Sequence, residues 1–277
     1  MTEAPEFTFP LDRYLERVGY RGSREPTAET LCALHRAQVF SIPFENLDPL
    51  TGRAVRIDQE SLVAKMVHHR RGGYCFELNG LFVLALRAFG YSIRSLAARV
   101  MIKPGHFAPR THQITLVEID GQRWIADVGF GGNGLLEPLV FDLDKETEQT
   151  FDRFRFVTDD VYGYRLEHAL GNHWRVLYAF SLDLFLPSDY QVMNFFTSKS
   201  SDSMFTHTAL CSMATADKRF LFFGNELKIR GISEKTVMEI KTAEKFREVL
   251  AKYFGIDWPL QDALPDPRPA PPGAREI

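Results

Sequence analysis

Apolar positions recur at helical spacing along the first third of the chain and then change to strand-like alternation. Leu11 to Val18 is a short mixed segment. Glu29 to Val39 follows Pro26-Thr27, where Thr27 is placed to accept from the first free N–H groups as an N-cap. Asp58 to His69 carries Leu62, Val63, Met66 and Val67 at three- and four-residue intervals, the spacing of one helix face. From Phe76 the period runs through Leu78, Leu81, Phe82, Ala85, Leu86 and Phe89 until Gly90, a natural stop. Residues 1–90 thus read as a helical bundle.

Alternation takes over at Ile93 to Val100, His112 to Ile119 and Gln122 to Val128, with Asp120-Gly121 as the strongest hairpin signal in the chain. Phe154 to Val157, Tyr162 to Glu167 and Trp174 to Phe180 extend the pattern, so residues 91–190 read as an antiparallel sheet or barrel. Residues 191–277 are mixed. Arg219 to Phe223 and Glu226 to Ile229 flank a Gly224-Asn225 hairpin, and Thr242 caps a helix that places Phe246, Val249, Leu250, Tyr253 and Phe254 on one face before Gly255. The proline-rich run Leu264 to Pro272 excludes regular structure and reads as a tail or an extended strap. No internal repeat and no G-x-x-x-x-G-K phosphate loop is present.

A chain of 277 residues, 45% apolar, can bury a substantial core. No apolar run approaches the roughly 20 residues of a membrane span, and the acidic start Met1 to Glu6 lacks the basic opening of a signal peptide, so a soluble cytoplasmic protein is expected. Three scattered cysteines without a C-x-x-C pair fit a reducing compartment. A net charge of -3 with mixed signs argues against a nucleic-acid partner. The 23 phenylalanines leave room for an aromatic-lined pocket beyond the core.

Among the cysteines, Cys32 and Cys211 sit in plain apolar runs and fit burial as small hydrophobes. Cys75 differs: Gly72 and Gly73 break structure just before it, and Glu77 with the apolar helical positions follows. A cysteine at a helix N-terminus meets unpaired N–H groups and the positive end of the backbone dipole, which favour thiolate. Structural burial and a reactive nucleophile are both consistent with this setting.

A thiol nucleophile needs a base, and the base needs an orienting group. If Asp120-Gly121 forms a two-residue turn, Ile119 pairs with Gln122 and His112 falls opposite Gly129. Asp127 then shares a face with His112 as its diagonal neighbour, about 7 to 8 Å away at the backbone, within reach of an imidazole and a carboxylate. The hairpin alone allows a structural polar pair on a barrel surface as well as a catalytic one. The glycine-dense Asp127 to Gly134 segment adds a turn open to close ligand approach. His68, His69 and Cys75 match no strong zinc spacing, so no metal is expected. His35, His106, His168, His173 and His207 are isolated, with surface or core roles as the default.

In four segments the chain resembles the arylamine N-acetyltransferases, the prokaryotic type in particular: Ile42 to Asp48, Arg71 to Gly80, Thr111-His112-Gln113 and Asp127 to Gly132. The resemblance implies an α+β fold of N-terminal helical bundle, central antiparallel β-barrel and C-terminal α/β lid around a cysteine-protease or transglutaminase-like core, with segments 1–90, 91–190 and 191–277. It implies a Cys75, His112, Asp127 triad that takes an acetyl group from acetyl-CoA and passes it to an arylamine or arylhydrazine. It further implies Phe44, Phe130 and Phe205 as acceptor-pocket residues, and Gly129, Gly131 and Gly132 where the pantetheine arm approaches. The same residue types also serve cysteine hydrolases and transglutaminase-like amide transferases, and an inert thiol would leave a binding module for aromatic ligands or CoA.

Overall fold

The computed structural model describes residues 7–103 and 106–271, with side chains of 102–107 excepted, so the acidic start, the His106 side chain and the chain from Pro272 lie outside the described residues. The helical segment forms α1 (Leu11–Val18), α2 (Ala28–Ser41), a short strand β1 (Phe44–Glu45), α3 (Leu47–Leu50), α4 (Gln59–Val63) continued by a π-helical turn at Ala64–His68, and α5 (Cys75–Ala88). Thr27 caps α2 as its sequence position predicts, accepting the Thr30 N–H at 3.2 Å. Asp58 does the same for α4 through Ser61, at 2.9 Å. The core of this segment is Tyr14, Leu34, Met66, Phe76, Leu81 and Phe82, all fully buried.

An eight-stranded antiparallel sheet follows. Its members are β2 (Ser92–Lys103), β3 (His106–Ile119), β4 (Gln122–Ala126), β5 (Leu139–Val140), β6 (Thr147–Gln149), β7 (Asp152–Asp159), β8 (Gly163–Leu170) and β9 (His173–Phe180), ordered β5-β4-β3-β2-β9-β8-β7-β6. The sheet rolls into a nearly closed barrel. Between its outer strands the chain crosses the gap, with Phe141 N–H on the Arg123 carbonyl and Asp144 N–H on the Phe156 carbonyl, each at 2.8 Å. Leu96, Ile114, Phe154, Phe156, Tyr178 and Phe180 fill the interior. Asp120 and Gly121 take φ of 51° and 77°, both positive as the tight hairpin turn demands, and pair Ile119 with Gln122 through Thr115 with Ala126.

The last part holds α6 (Pro187–Lys199), a 3₁₀ turn at Met204–Thr206, β10 (Leu210–Ala214), β11 (Lys218–Phe223), β12 (Glu226–Gly231), β13 (Lys235–Glu239) and α7 (Ala243–Phe254). These strands join β1 in a second antiparallel sheet, β1-β10-β11-β12-β13. Helix α7 packs on it, with Phe222 and Phe246 stacked at 4.4 Å between centroids. Thr242 caps α7 through the Lys245 N–H at 3.3 Å. The proline-rich run is a strap through Pro271: Leu264 and Pro267 are buried, and the Asp266 carboxylate accepts the Ala243 N–H at 2.7 Å. Helix α6 escapes the periodicity reading because its apolar residues split between buried and exposed faces, with Val192 and Phe195 outside. Among the described residues no helix is long and apolar enough to cross a membrane.

Candidate active site

Cys75 is the first residue of α5, and the two glycines before it are a steric necessity. A Cβ on Gly72 would lie 2.2 Å from the Pro43 carbonyl, and one on Gly73 would lie 2.7 Å from the Glu77 Cβ. That clearance lets the chain run beside β1, where Glu45 N–H donates to Gly73 O at 2.9 Å, before turning into the helix. Glu77 closes the turn by accepting the Tyr74 N–H at 3.0 Å. Beneath it lies a buried charge cluster. Lys65 meets Glu77 and Asp48, each at 2.6 Å, and Arg71 meets Glu45 at 2.6 Å and Asp48 at 3.2 Å. Three carboxylates share two cations here, and Glu77, with Lys65 alone, is pushed up by burial to about 7.

The barrel delivers the base. His112 on β3 is 2% exposed, and its Nε2 lies 2.7 Å from Asp127 Oδ2 just past the end of β4. The expected diagonal meeting is therefore formed, although β4 stops at Ala126 rather than Val128. Asp127 leaves the ladder because its N–H donates to His35 Nε2 at 3.2 Å. With Nε2 on the carboxylate, Nδ1 is the His112 nitrogen left for Cys75, which lines the same cavity. The Cys75 sulfur lies 3.3 Å from the Thr111 carbonyl. Burial by itself would lower the His112 pKa, but the Asp127 charge and hydrogen bond, followed by Cys75, raise it to about 10. Burial likewise opposes the Asp127 carboxylate, yet His112, Asn79 and the Gly129 N–H hold it below its usual range. The other thiols face nothing comparable: burial pushes Cys32 up to about 11 and Cys211 well above its ordinary value.

Cys75 and His112 open into a cavity of about 350 Å³. Phe44, Phe130 and Phe205, the residues that the family resemblance implies for a pocket, line it together with Phe196, Leu177 and Met204. The Phe130 ring packs edge-on to His112 at 5.4 Å, and Phe205 meets Tyr74 edge-on at 5.8 Å. Gly129, which also lines the cavity, lies against the Cys75 backbone, where a Cβ would come within 3.0 Å of Cys75 Cα. Gly131 and Gly132 line a separate void of about 30 Å³ under the turn, beside Ser212 and Arg219.

A family model described as N-acetyltransferase matches residues 27–263. An arylamine N-acetyltransferase of Escherichia coli is 41% identical over 203 residues, 72% of this chain and 71% of that protein. The chain belongs to the arylamine N-acetyltransferase family. Its acyltransferase fold is shared with the solved arylamine N-acetyltransferase of Salmonella typhimurium, at TM-score 0.86 and 31% identity over 94% of this chain and 96% of that one. The Mycobacterium marinum arylamine N-acetyltransferase in complex with CoA superposes with TM-score 0.85 at 32% identity, covering 89% of this chain and 93% of that one.

Within this N-acetyltransferase two supporting residues escape the sequence reading. Asn79, one turn after Cys75, donates to Asp127 Oδ1 at 3.0 Å and to the Gln113 carbonyl at 2.7 Å, and accepts the Val128 N–H at 3.0 Å. Its i+4 spacing from Cys75 on one helix face was the available signal. His35 bridges both ends of the glycine turn, taking the Asp127 N–H on Nε2 and the Leu136 carbonyl on Nδ1 at 3.0 Å. The acceptor role of Nε2 fixes the neutral tautomer, and burial lowers this histidine to about 4. Nothing in the sequence around His35 marks it. His168, also read as isolated, is buried 2.7 Å from Asp152.

Proposed function

We propose that the chain transfers the acetyl group of acetyl-CoA to an aromatic amine or hydrazine in two half-reactions through an acetyl-Cys75 intermediate. The observation that carries this reading is the meeting of the α5 N-terminal thiol with the buried His112–Asp127 pair at an aromatic-lined cavity. His112 takes the Cys75 proton, and the thiolate attacks the thioester carbonyl. The oxyanion falls near the helix N-terminus, where the Cys75 N–H has no partner within the helix. As the new C–S bond forms, the old one breaks, and the CoA thiolate leaves with the proton that His112 returns. In the second half the acceptor nitrogen attacks the acetyl-Cys75 carbonyl, His112 receives the proton lost by the amine, and Cys75 leaves as thiolate. Asp127 keeps the ring oriented and stabilises its charged form each time the ring holds the transferred proton.

Phe44, Phe130 and Phe205 serve as walls for the acceptor ring, and Gly129, Gly131 and Gly132 form the turn along which the pantetheine arm lies. We assign residues 1–90 to a helical bundle that carries Cys75, 91–190 to a β-barrel that carries His112 and Asp127 and 191–277 to an α/β lid with a proline-rich tail, and place the enzyme in the cytoplasm.

The test is CoA release from acetyl-CoA by purified protein, with and without an arylamine or arylhydrazine, beside intact mass after acetyl-CoA alone. Amine-dependent release with one acetyl group on Cys75 is expected. A folded Cys75→Ala protein should show neither, and turnover by that variant would end the proposal. Release that ignores the amine would instead mark a hydrolase.

A further inference from the structure

The glycine turn after Asp127 is anchored from two sides. Its near end is tied to the helical elements through His35 and Asn79. Its far end is tied to the second sheet. Arg219 on β11, 6% exposed, donates Nη1 to the Gly132 carbonyl and Nη2 to the Gly134 carbonyl, each at 2.9 Å. Ser212 Oγ on β10 accepts the Gly132 N–H at 2.9 Å. The guanidinium is itself held by Asp152 Oδ2 at 2.8 Å, while Asp152 Oδ1 takes His168 Nε2 at 2.7 Å and Arg230 at 2.9 Å. The Phe151 ring lies against both arginines, 5.7 and 5.9 Å from their guanidinium carbons. None of Arg219, Asp152, His168 or Arg230 lines the thiol cavity.

Such an anchor has a definite task. Gly131 and Gly132 hold φ of 78° and 42°, and glycine recovers more backbone freedom than any other residue when released. A planar fork that grips two carbonyls in a buried setting selects one turn conformation, which a point charge does not. Phe130 stands between the two anchored ends, with its ring on His112.

We propose that Arg219 is a positioning residue: its fork fixes the Gly131–Gly134 half of the turn as the wall against which the acyl donor's thioester arm lies. This rests on the reading of the turn as the donor's wall. Because Asp127 and Val128 have their own anchors in His35 and Asn79, loss of Arg219 frees the donor wall while the thiol, His112 and Asp127 stay paired.

The experiment compares wild type, Arg219→Gln and Arg219→Lys in three measurements: alkylation of Cys75 by iodoacetamide, the acetyl-CoA dependence of acetyl-Cys75 formation in quenched flow, and hydrogen exchange of the 130–135 amides. Arg219→Gln should alkylate as fast as wild type, exchange faster in the turn, and need about tenfold more acetyl-CoA for half-saturation, about 1.4 kcal/mol of donor binding. Arg219→Lys should recover part of the loss, since it keeps a cation beside Asp152 but offers one head group to two carbonyls. An unchanged half-saturation overturns the proposal, as does alkylation that falls in step with acetylation. If Arg219→Gln fails to fold, the lysine variant and Ser212→Ala carry the comparison, and unchanged half-saturation in both overturns it equally. If wild type itself takes no acetyl group, the donor reading falls, and the exchange data then decide the anchoring: equal exchange in variant and wild type refutes it.

Discussion

Buried 2.7 Å from the Asp127 carboxylate, the His112 ring keeps its proton up to about pH 10 although desolvation alone would remove it below its usual range. The raised pKa means that this contribution to stability is complete below about pH 6.5 and is lost as pH rises through about 10. Asp127, depressed in the fold, stabilises above its unfolded value and loses that effect as acid protonates it. Asp127→Asn should therefore keep the fold by circular dichroism, shift the His112 titration seen by NMR to below its ordinary value, and slow acetyl transfer by at least about 10²-fold. Near-normal turnover would remove Asp127 from the chemistry. Glu77 carries the opposite sign. Raised from 4.5 to about 7, it holds a proton in the folded state that the unfolded chain has released, so unfolding free energy should fall as pH rises across that window. Urea titrations at several pH values should show this decline, and Glu77→Gln should flatten it.

At the scale of elements, three local devices place the thiol: the glycine pair beside β1, the Glu77 side chain closing the first turn of α5, and the Asp120-Gly121 hairpin that aligns His112 with the end of β4. Helix α5 and the turn after β4 come close at Gly129, where an added Cβ would sit 2.6 Å from Asn79 Nδ2 and 3.0 Å from Cys75 Cα. Neither α5 nor the turn has room to yield, because Asn79 is itself bonded to Asp127, Val128 and Gln113. Gly129→Ala should cost about 1–3 kcal/mol in chemical denaturation and should displace Asp127 enough to depress acetylation more than stability. Wild-type acetylation in a destabilised Gly129→Ala protein would show that the contact is packing alone.

Across the whole molecule, the site is assembled from distant parts of the chain held by buried polar links. Asn46, fully buried after β1, donates to the Phe205 and Thr208 carbonyls at 2.9 and 2.8 Å and accepts the Leu210 N–H at 2.8 Å. Asn46→Ala would strand three backbone groups, a loss of about 3 kcal/mol or more, and should loosen Phe205; the expected signs are a lower urea midpoint and a higher acceptor KM. Arg53 and Arg71 both lie 4.7 Å over the Trp258 ring, tying the chain after α7 to the cluster below Cys75. The features legible in the chain alone are local: the helix caps at Thr27 and Thr242, the stop at Gly90, the hairpin with positive φ at Asp120 and Gly121, and the start of α5 at Cys75. These follow from the backbone preferences of neighbouring residues, and the register of one hairpin was enough to set Asp127 beside His112. Tertiary structure alone decided the support. His35 meets Asp127 across 92 positions and Arg219 meets Gly132 across 87. A lone histidine or arginine looks the same in sequence whether water or a buried carbonyl awaits it, and only packing of the helices, the barrel and the second sheet removes the water and leaves one partner in reach.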